Sequence, residues 1–245
     1  MKCAILSTDN NPDYYSLLPL VCYSWRKIGY TPIVITVGVP FELIELLEKY
    51  SNALMIHADQ TAGVKDSTIA QLSRLFIYRK PNPEDILITA DADMVIAKDI
   101  FTHDIGQGQI ISYGYDLTGR SELPICYLKA TAAKWRELMG EFTIPESAYS
   151  EQWERYWSSD QQLLTQRARQ YGMSRIIFID RGNQNKHGLP TGRWDRFDFA
   201  HIPDDIIDVH MPRNDWDAQI QVFQKLWPGE DYSFITKFRE ALNAI

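Results

Sequence analysis

Four short apolar runs, spaced by helix-like segments, fill the first ninety residues, and this alternation most constrains the fold. "CAILST", "TPIVITVG", "NALMIHA" and "DILITA" are six to eight residues long and apolar nearly throughout. Strands apolar on consecutive residues bury both faces, as the strands of a parallel sheet do. Between them lie three predicted helices. The first runs from about Tyr14 to Ile28 and is stopped by Gly29. The second is "PFELIELLEKY", with Pro40 at its start. The third is "DSTIAQLSRLFIYRK", capped by Asp66 or Ser67 and stopped before Pro81. Alternating strands and helices predict βαβ units and a Rossmann-like sheet, mostly parallel and flanked by helices.

After Asp93 the rhythm loosens. "QIISYG", "ICYLKA" and "RIIFID" read as strands. "TAAKWRELMG" and "SSDQQLLTQRARQYG" read as helices, the latter capped by Ser158 or Ser159 and ended by Gly172. Two more helices are expected at about Asp215–Leu226 and Tyr232–Leu242. The segment Arg181 to Arg196 lacks periodicity, and long loops of this kind are often lids. The C-terminal half is therefore mixed. No linker interrupts the 245 residues, and at 45% hydrophobic they suffice for one domain with a sizeable core.

The formal charge of −7 disfavours nucleic acid as a partner, because phosphate backbones attract basic surfaces. Cys3, Cys22 and Cys126 are too sparse for a metal knuckle and suit a reducing compartment. No run approaches the roughly 20 apolar residues of a membrane span. The opening apolar run is too short for a signal peptide, so a cytoplasmic protein is expected.

Within "ILITADADMVIAKDI" the fourth strand runs straight into Asp91 and Asp93. Two carboxylates at the end of a buried strand need compensation. In open α/β sheets, ligands sit beyond the carboxyl ends of strands. A turn there can bring both acids to one hard cation, Mg²⁺ or Mn²⁺. Solvated loop acids are the alternative. Other strand ends are polar too: "STDNN" after the first, "SDQQ" opening a helix, and "DVHMPRND" with His210 and Arg213.

This ordered set resembles that of GT-A-fold glycosyltransferases, nearest to the glycogenin-like retaining families. It comprises Ser7-Thr8-Asp9 followed by Tyr14 and Tyr15, "QLSRLFIY" before the strand leading to "DAD", then "PICYLKATAAKW", "SDQQLL" and a late histidine. Those families tend to follow the histidine with Gly and Lys-Pro-Trp. Here the text is "HMPRNDW", which leaves Arg213 as a candidate diphosphate contact. The resemblance implies a single GT-A-like domain over 1–245, with residues 1–100 for the nucleotide and 101–245 for the acceptor. It implies a metal-dependent hexosyl- or pentosyltransferase. The donor would be a nucleotide sugar, with UDP the expected nucleotide, and the acceptor a hydroxyl on a glycan or other molecule.

The same resemblance assigns roles. Asp91, Asp93 and His210 would hold Mn²⁺ or Mg²⁺, with Asp91 alternatively on the ribose. Ser7, Thr8, Asp9, Asn10 and Ala92 would line the nucleotide, and Tyr14 or Tyr15 would stack on the base. Arg74 would reach the phosphates or the sugar, unless it is a solvated helix-face arginine. Asp160 would face the donor sugar, as a base if the enzyme inverts or as an orienting, charge-stabilising group if it retains, unless it only caps its helix. Trp153, Trp157 and Trp194 are candidates for stacking on an acceptor sugar, or else core residues. Two other readings compete. "ILITADADMVI" also fits the first motif of haloacid-dehalogenase-like phosphatases, with Asp91 as nucleophile and "PDDIID" as a late acidic motif. A non-catalytic nucleotide-sugar binding module would keep the same residues without turnover.

Overall fold

The four apolar runs form β1 (Lys2–Thr8), β2 (Thr31–Val37), β3 (Leu54–Ala58) and β4 (Ile86–Thr89). They pair in parallel in the order β3-β2-β1-β4. This is a computed structural model, and it describes residues 1–104, 109–113, 122–140, 159–182 and 190–245. Strands β6 (Ile110–Tyr113), β7 (Leu128–Thr131) and β8 (Ile176–Ile179) extend the sheet to β3-β2-β1-β4-β7-β6-β8. Strand β7 runs antiparallel to both neighbours, and β6 pairs with β8 in parallel, so the seven-stranded sheet is mostly parallel.

The helices are α1 (Pro12–Tyr15), α2 (Leu18–Lys27), α3 (Phe41–Ser51), α4 (Asp66–Phe76), α5 (Ala132–Met139), α6 (Ser159–Tyr171), α7 (Trp216–Leu226) and α8 (Ser233–Leu242). Alternate residues of β1 feed two cores, as the twofold period of a strand requires. Ala4 and Leu6 pack with Trp25 of α2, Leu47 of α3 and Phe223 of α7. Cys3 and Ile5 pack on the other face with Leu72 and Leu75 of α4, Trp135 of α5 and Leu164 of α6. Helices thus cover both faces.

Two boundaries differ from expectation. The helix predicted from Tyr14 to Ile28 is two helices, with Pro19 in the first turn of α2. Proline has no N–H, and its ring would clash with a carbonyl one turn earlier, so it starts a helix rather than continuing one. Helix α4 begins after Lys65, not with Asp66 or Ser67 as cap. Asp66 is already helical and accepts a hydrogen bond from Gln60 Nε2 at 2.8 Å.

Three strands of three residues each were not foreseen: β5 (Met94–Ile96), β9 (Arg193–Asp195) and β10 (Asp208–His210). They form a second sheet in the order β5-β10-β9. The register places Asp208 beside Arg193 and His210 beside both Asp195 and Met94. Asp208 is wholly buried. It accepts from Arg181 Nη1 at 2.7 Å, Arg193 Nη2 at 2.9 Å and the Tyr127 hydroxyl at 3.1 Å. Burial would raise its pKa, but the two guanidiniums hold its carboxyl well below the usual range.

Removing that charge would strand two arginines in a dry site. Asp208→Asn is expected to lower the unfolding free energy by about 3–5 kcal/mol at neutral pH, read by denaturant titration. A carboxylate with a depressed folded pKa contributes fully above its unfolded pKa of about 3.9, and the contribution fades as the pH falls towards the folded value. The gap between parent and variant should therefore narrow at about pH 3, and an equal gap at both pH values would contradict the assignment.

Candidate active site

The two aspartates sit where β4 gives out. Ala90 N still donates to Ile5 O of β1 at 3.0 Å, after which the chain turns, with Met94 N donating to Asp91 O at 3.2 Å. Residues two apart on an extended chain share a side, and the turn keeps Asp91 and Asp93 facing the same space. Both line one cleft of about 370 Å³ at the carboxyl ends of β1 and β4. Asp93 is buried, whereas the Asp91 side chain keeps 37% of its exposure.

Arg74 compensates Asp91. It is a buried arginine of α4, not a solvated one. Nη1 donates to Ala90 O at 2.8 Å and to Asp91 Oδ1 at 2.5 Å, and Nη2 donates to Asp160 Oδ2 at 2.5 Å. One guanidinium thus bridges the end of β4 and the start of α6. Burial would lower the Arg74 pKa, but the two carboxylates outweigh it and raise it. For Asp160, burial wins over Arg74 and raises the pKa. Its other oxygen accepts from Gln161 N at 2.8 Å, so both carboxylate oxygens are held.

Asp93 is compensated separately. Its Oδ2 lies 2.7 Å from Arg196 Nη1, 3.4 Å from His210 Nε2 and 3.9 Å from Arg213 Nε. Burial opposes the charge, yet the His210 hydrogen bond and the two arginines bring the Asp93 pKa down to about 2. His210 Nδ1 is 3.0 Å from Asp195 Oδ2. Burial lowers the imidazole pKa, while the bonds to Asp195 and Asp93 outweigh it and raise it. Asp195 itself is fixed by Phe197 N at 2.9 Å. A carboxylate on Nδ1 sets the ring so that Nε2 faces Asp93, the arrangement common behind metal-bound histidines.

The end of β1 closes the cleft. Ser7, Thr8 and Asp9 line it, with Thr8 Oγ donating to Asp9 O at 2.9 Å and burial raising the Asp9 pKa. Tyr14 faces the cleft, with Arg213 over its ring at 4.8 Å. Asn10 and Tyr15 line a neighbouring hollow with Pro40 and Trp216 instead, and Asn11 takes the place expected of Asn10. Ala92, Asp160, His210 and Arg213 all reach the cleft.

Trp194 is wholly buried, stacks on Phe199 at 4.6 Å and donates through Nε1 to Phe199 O, so it is core and no acceptor platform. Trp153, Trp157 and the cap Ser158 lie outside the described residues. The proposed lid from Arg181 to Arg196 is anchored at both described ends. Arg181 is paired to Asp208, and β9 sits in a sheet. Several site residues escaped notice. Ser67 and Gln71 share a helix face with Arg74 by their spacing, a signal that the sequence does carry. Gln161 adjoins Asp160. Asp195 and Arg196 lay in a stretch without periodicity and gave no signal.

Among the described residues, no three His, Cys, Asp or Glu side chains are gathered to hold a metal ion. The expected trio divides: Asp93 and His210 meet, and Asp91 turns to Arg74. An acid and an imidazole suit Mn²⁺ or Mg²⁺ when substrate oxygens complete the shell. Asp9, Asp91, Asp93 and Asp160 line the cleft together with Arg74, Arg196 and Arg213.

No protein-family model matches the sequence, and no curated protein does. Solved structures do. The galactosyltransferase LgtC, crystallised with donor and acceptor sugar analogues, superposes with a TM-score of 0.53 at 12% identity, over 99% of this chain and 96% of that one. An active-site mutant of LgtC gives 0.56 at 10% identity, over 99% and 95%. The glycosyltransferase GlyE of Streptococcus pneumoniae TIGR4 gives 0.57 at 12% identity, over all of this chain and 64% of that one. Identities this low speak for fold alone: the chain has the α/β fold of GT-A glycosyltransferases, a mostly parallel seven-stranded sheet flanked by helices.

Proposed function

We propose that the protein is a metal-dependent glycosyltransferase that moves a hexose or pentose from a UDP-sugar to a hydroxyl of a glycan or similar acceptor. One observation carries the reading. Asp93 and His210, far apart in sequence, meet at 3.4 Å at the end of β4, with Asp195 setting the imidazole. Arg213 and Tyr14 stand beside them. The GT-A fold supports sugar transfer in general.

In this reading, Asp93 and His210 would hold Mn²⁺ or Mg²⁺, which would supply stabilisation of the charge on the leaving diphosphate, and Asp91 would serve the ion or the ribose. Ser7, Thr8 and Asp9 meet the base edge, and Tyr14 offers it a stacking face. Arg213 contacts the diphosphate. Arg74 acts through Asp91 and Asp160, fixing both relative to the sugar. Asp160, held at both oxygens, is better suited to orient a sugar hydroxyl and stabilise an oxocarbenium-like centre than to act as a mobile base. That favours retention of anomeric configuration.

The phosphatase reading needs a lysine beside the nucleophile. Among the described residues none lines the cleft, and Asp91 is taken by Arg74. A purely binding module would show no turnover of the donor with Mn²⁺.

A thermal-shift screen of nucleotide sugars with and without Mn²⁺ tests the proposal. UDP-sugars should raise the midpoint only with the ion, because ligands that bind the native state stabilise it by mass action. Asp93→Ala should lose this shift while keeping a cooperative transition. A variant that binds and turns over like the parent would sink the proposal. Asp160→Asn should cut kcat by about 10²–10³ and leave UDP affinity near that of the parent, because Arg74 remains paired to Asp91. Unchanged turnover would remove Asp160 from the chemistry.

A further inference from the structure

Arg196 is the residue for which the proposed function makes no provision. It lines the cleft, and it follows directly on β9, whose last residue Asp195 fixes His210. Its Nη1 makes the shortest contact to Asp93 Oδ2, at 2.7 Å, against 3.4 Å for His210 Nε2. A divalent ion held by Asp93 and His210 must use the same small space. Two cations cannot share it without strong repulsion, because like charges at contact distance in a partly dry site are poorly screened.

We propose that Arg196 is an exchangeable counter-ion. Its guanidinium and the divalent ion are alternative partners for Asp93 Oδ2. When the ion takes that oxygen, Arg196 passes to the donor diphosphate. This rests on the transferase reading and adds a residue to it. Three features of the structure support the exchange. The Arg196 side chain keeps 18% of its exposure, so it has room to leave. Its guanidinium already lies 5.2 Å from the ring of Phe197, which is 69% exposed and offers a flat face at the rim. Arg213 stands 3.9 Å from the same carboxylate oxygen, so two guanidiniums converge where the ion and diphosphate would meet. Planar guanidiniums pair well with phosphate oxygens, and a two-arginine clamp suits a diphosphate better than one arginine does.

The exchange has a signature that a merely structural role lacks: two affinities should move in opposite directions. Removing Arg196 frees Asp93 for the ion and deprives the diphosphate of a partner. The experiment titrates Mn²⁺ into parent, Arg196→Gln and Arg196→Lys without nucleotide, then UDP at saturating Mn²⁺, by calorimetry. Arg196→Gln should bind Mn²⁺ several-fold tighter and UDP about tenfold weaker than the parent, the latter corresponding to loss of one charge-assisted contact. Arg196→Lys should keep most of the competition for Asp93 and recover part of the UDP affinity. Thermal midpoints close to the parent's would establish that both variants are folded. Unchanged or weaker Mn²⁺ binding by a folded Arg196→Gln would overturn the competition. Unchanged UDP affinity would overturn the transfer to diphosphate. If Arg196→Gln proves unfolded, the same titrations on Arg196→Ala decide, with parental affinities for both ligands overturning the proposal. A parent that binds neither Mn²⁺ nor UDP would overturn the transferase reading itself, and this inference with it.

Discussion

The register of β10 against its two neighbours is the constraint from which the site follows. Side chains on a strand alternate between faces, so Asp208 and His210 point one way and Val209 the other. Val209 is wholly buried in the core, which pins the face. Asp208 then meets Arg193, and His210 meets Asp195, across the parallel pair with β9. The antiparallel pair with β5 sets His210 opposite Met94, the residue after Asp93. A slip of one residue would send His210 into the core and Val209 into the cleft. The Arg181–Asp208–Arg193 cluster, buried beneath the site, disfavours that slip by leaving charges unpaired.

Every buried acid near the cleft has a partner, and the partners divide the work. Arg74 serves Asp91 and Asp160, Arg196 and His210 serve Asp93, and His210 also serves Asp195. Buried ion pairs of this kind are weak evidence for stability, since apolar residues of the same shape often do as well. Their value is geometric. Arg74 ties α4, the end of β4 and the start of α6 through three donated hydrogen bonds. The Asp93 group has looser geometry, with its partner nitrogens at graded distances. The site thus pairs a rigid half at Asp160 with a half whose charges can be redistributed.

The N-terminal half was legible because its information is local. Continuous apolar runs in β1, β2 and β4 report burial on both faces, and strand–helix alternation reports the parallel sheet. The acids Asp91 and Asp93 were visible because carboxylates at the end of a buried strand need compensation. Strands β5, β9 and β10 were not legible: at three residues each they show no period, and the β5–β10 pairing joins segments more than a hundred residues apart, which leaves no local trace. Trp194 stayed open between core and acceptor platform. In an aperiodic stretch its side chain had no face, and only the pairing of β9 with β10 turns it inward against Phe199. Pro19 is the converse case: the single helix expected from Tyr14 to Ile28 ran across it, although the break between α1 and α2 follows from its chemistry.

The "RWDRFD" segment, Arg193 to Asp198, condenses this lesson. Arg193 pairs with Asp208 and Trp194 fills the core. Asp195 fixes His210, Arg196 meets Asp93, and Phe197 stands exposed at the rim. Read as sequence it is a run of mixed charge and aromatics, the composition of many surface loops. Each residue takes its role from what β10 and the aspartate turn bring to it, so no single position announces the site. The cost of that arrangement is dependence: His210 is aimed only while Asp195 is, and Asp195 only while the Asp208 cluster keeps β9 in register. A site whose parts come from residues as far apart as Ser7 and Arg213 is held by pairings across long loops, each with a closure entropy that the packing of the second sheet has to offset.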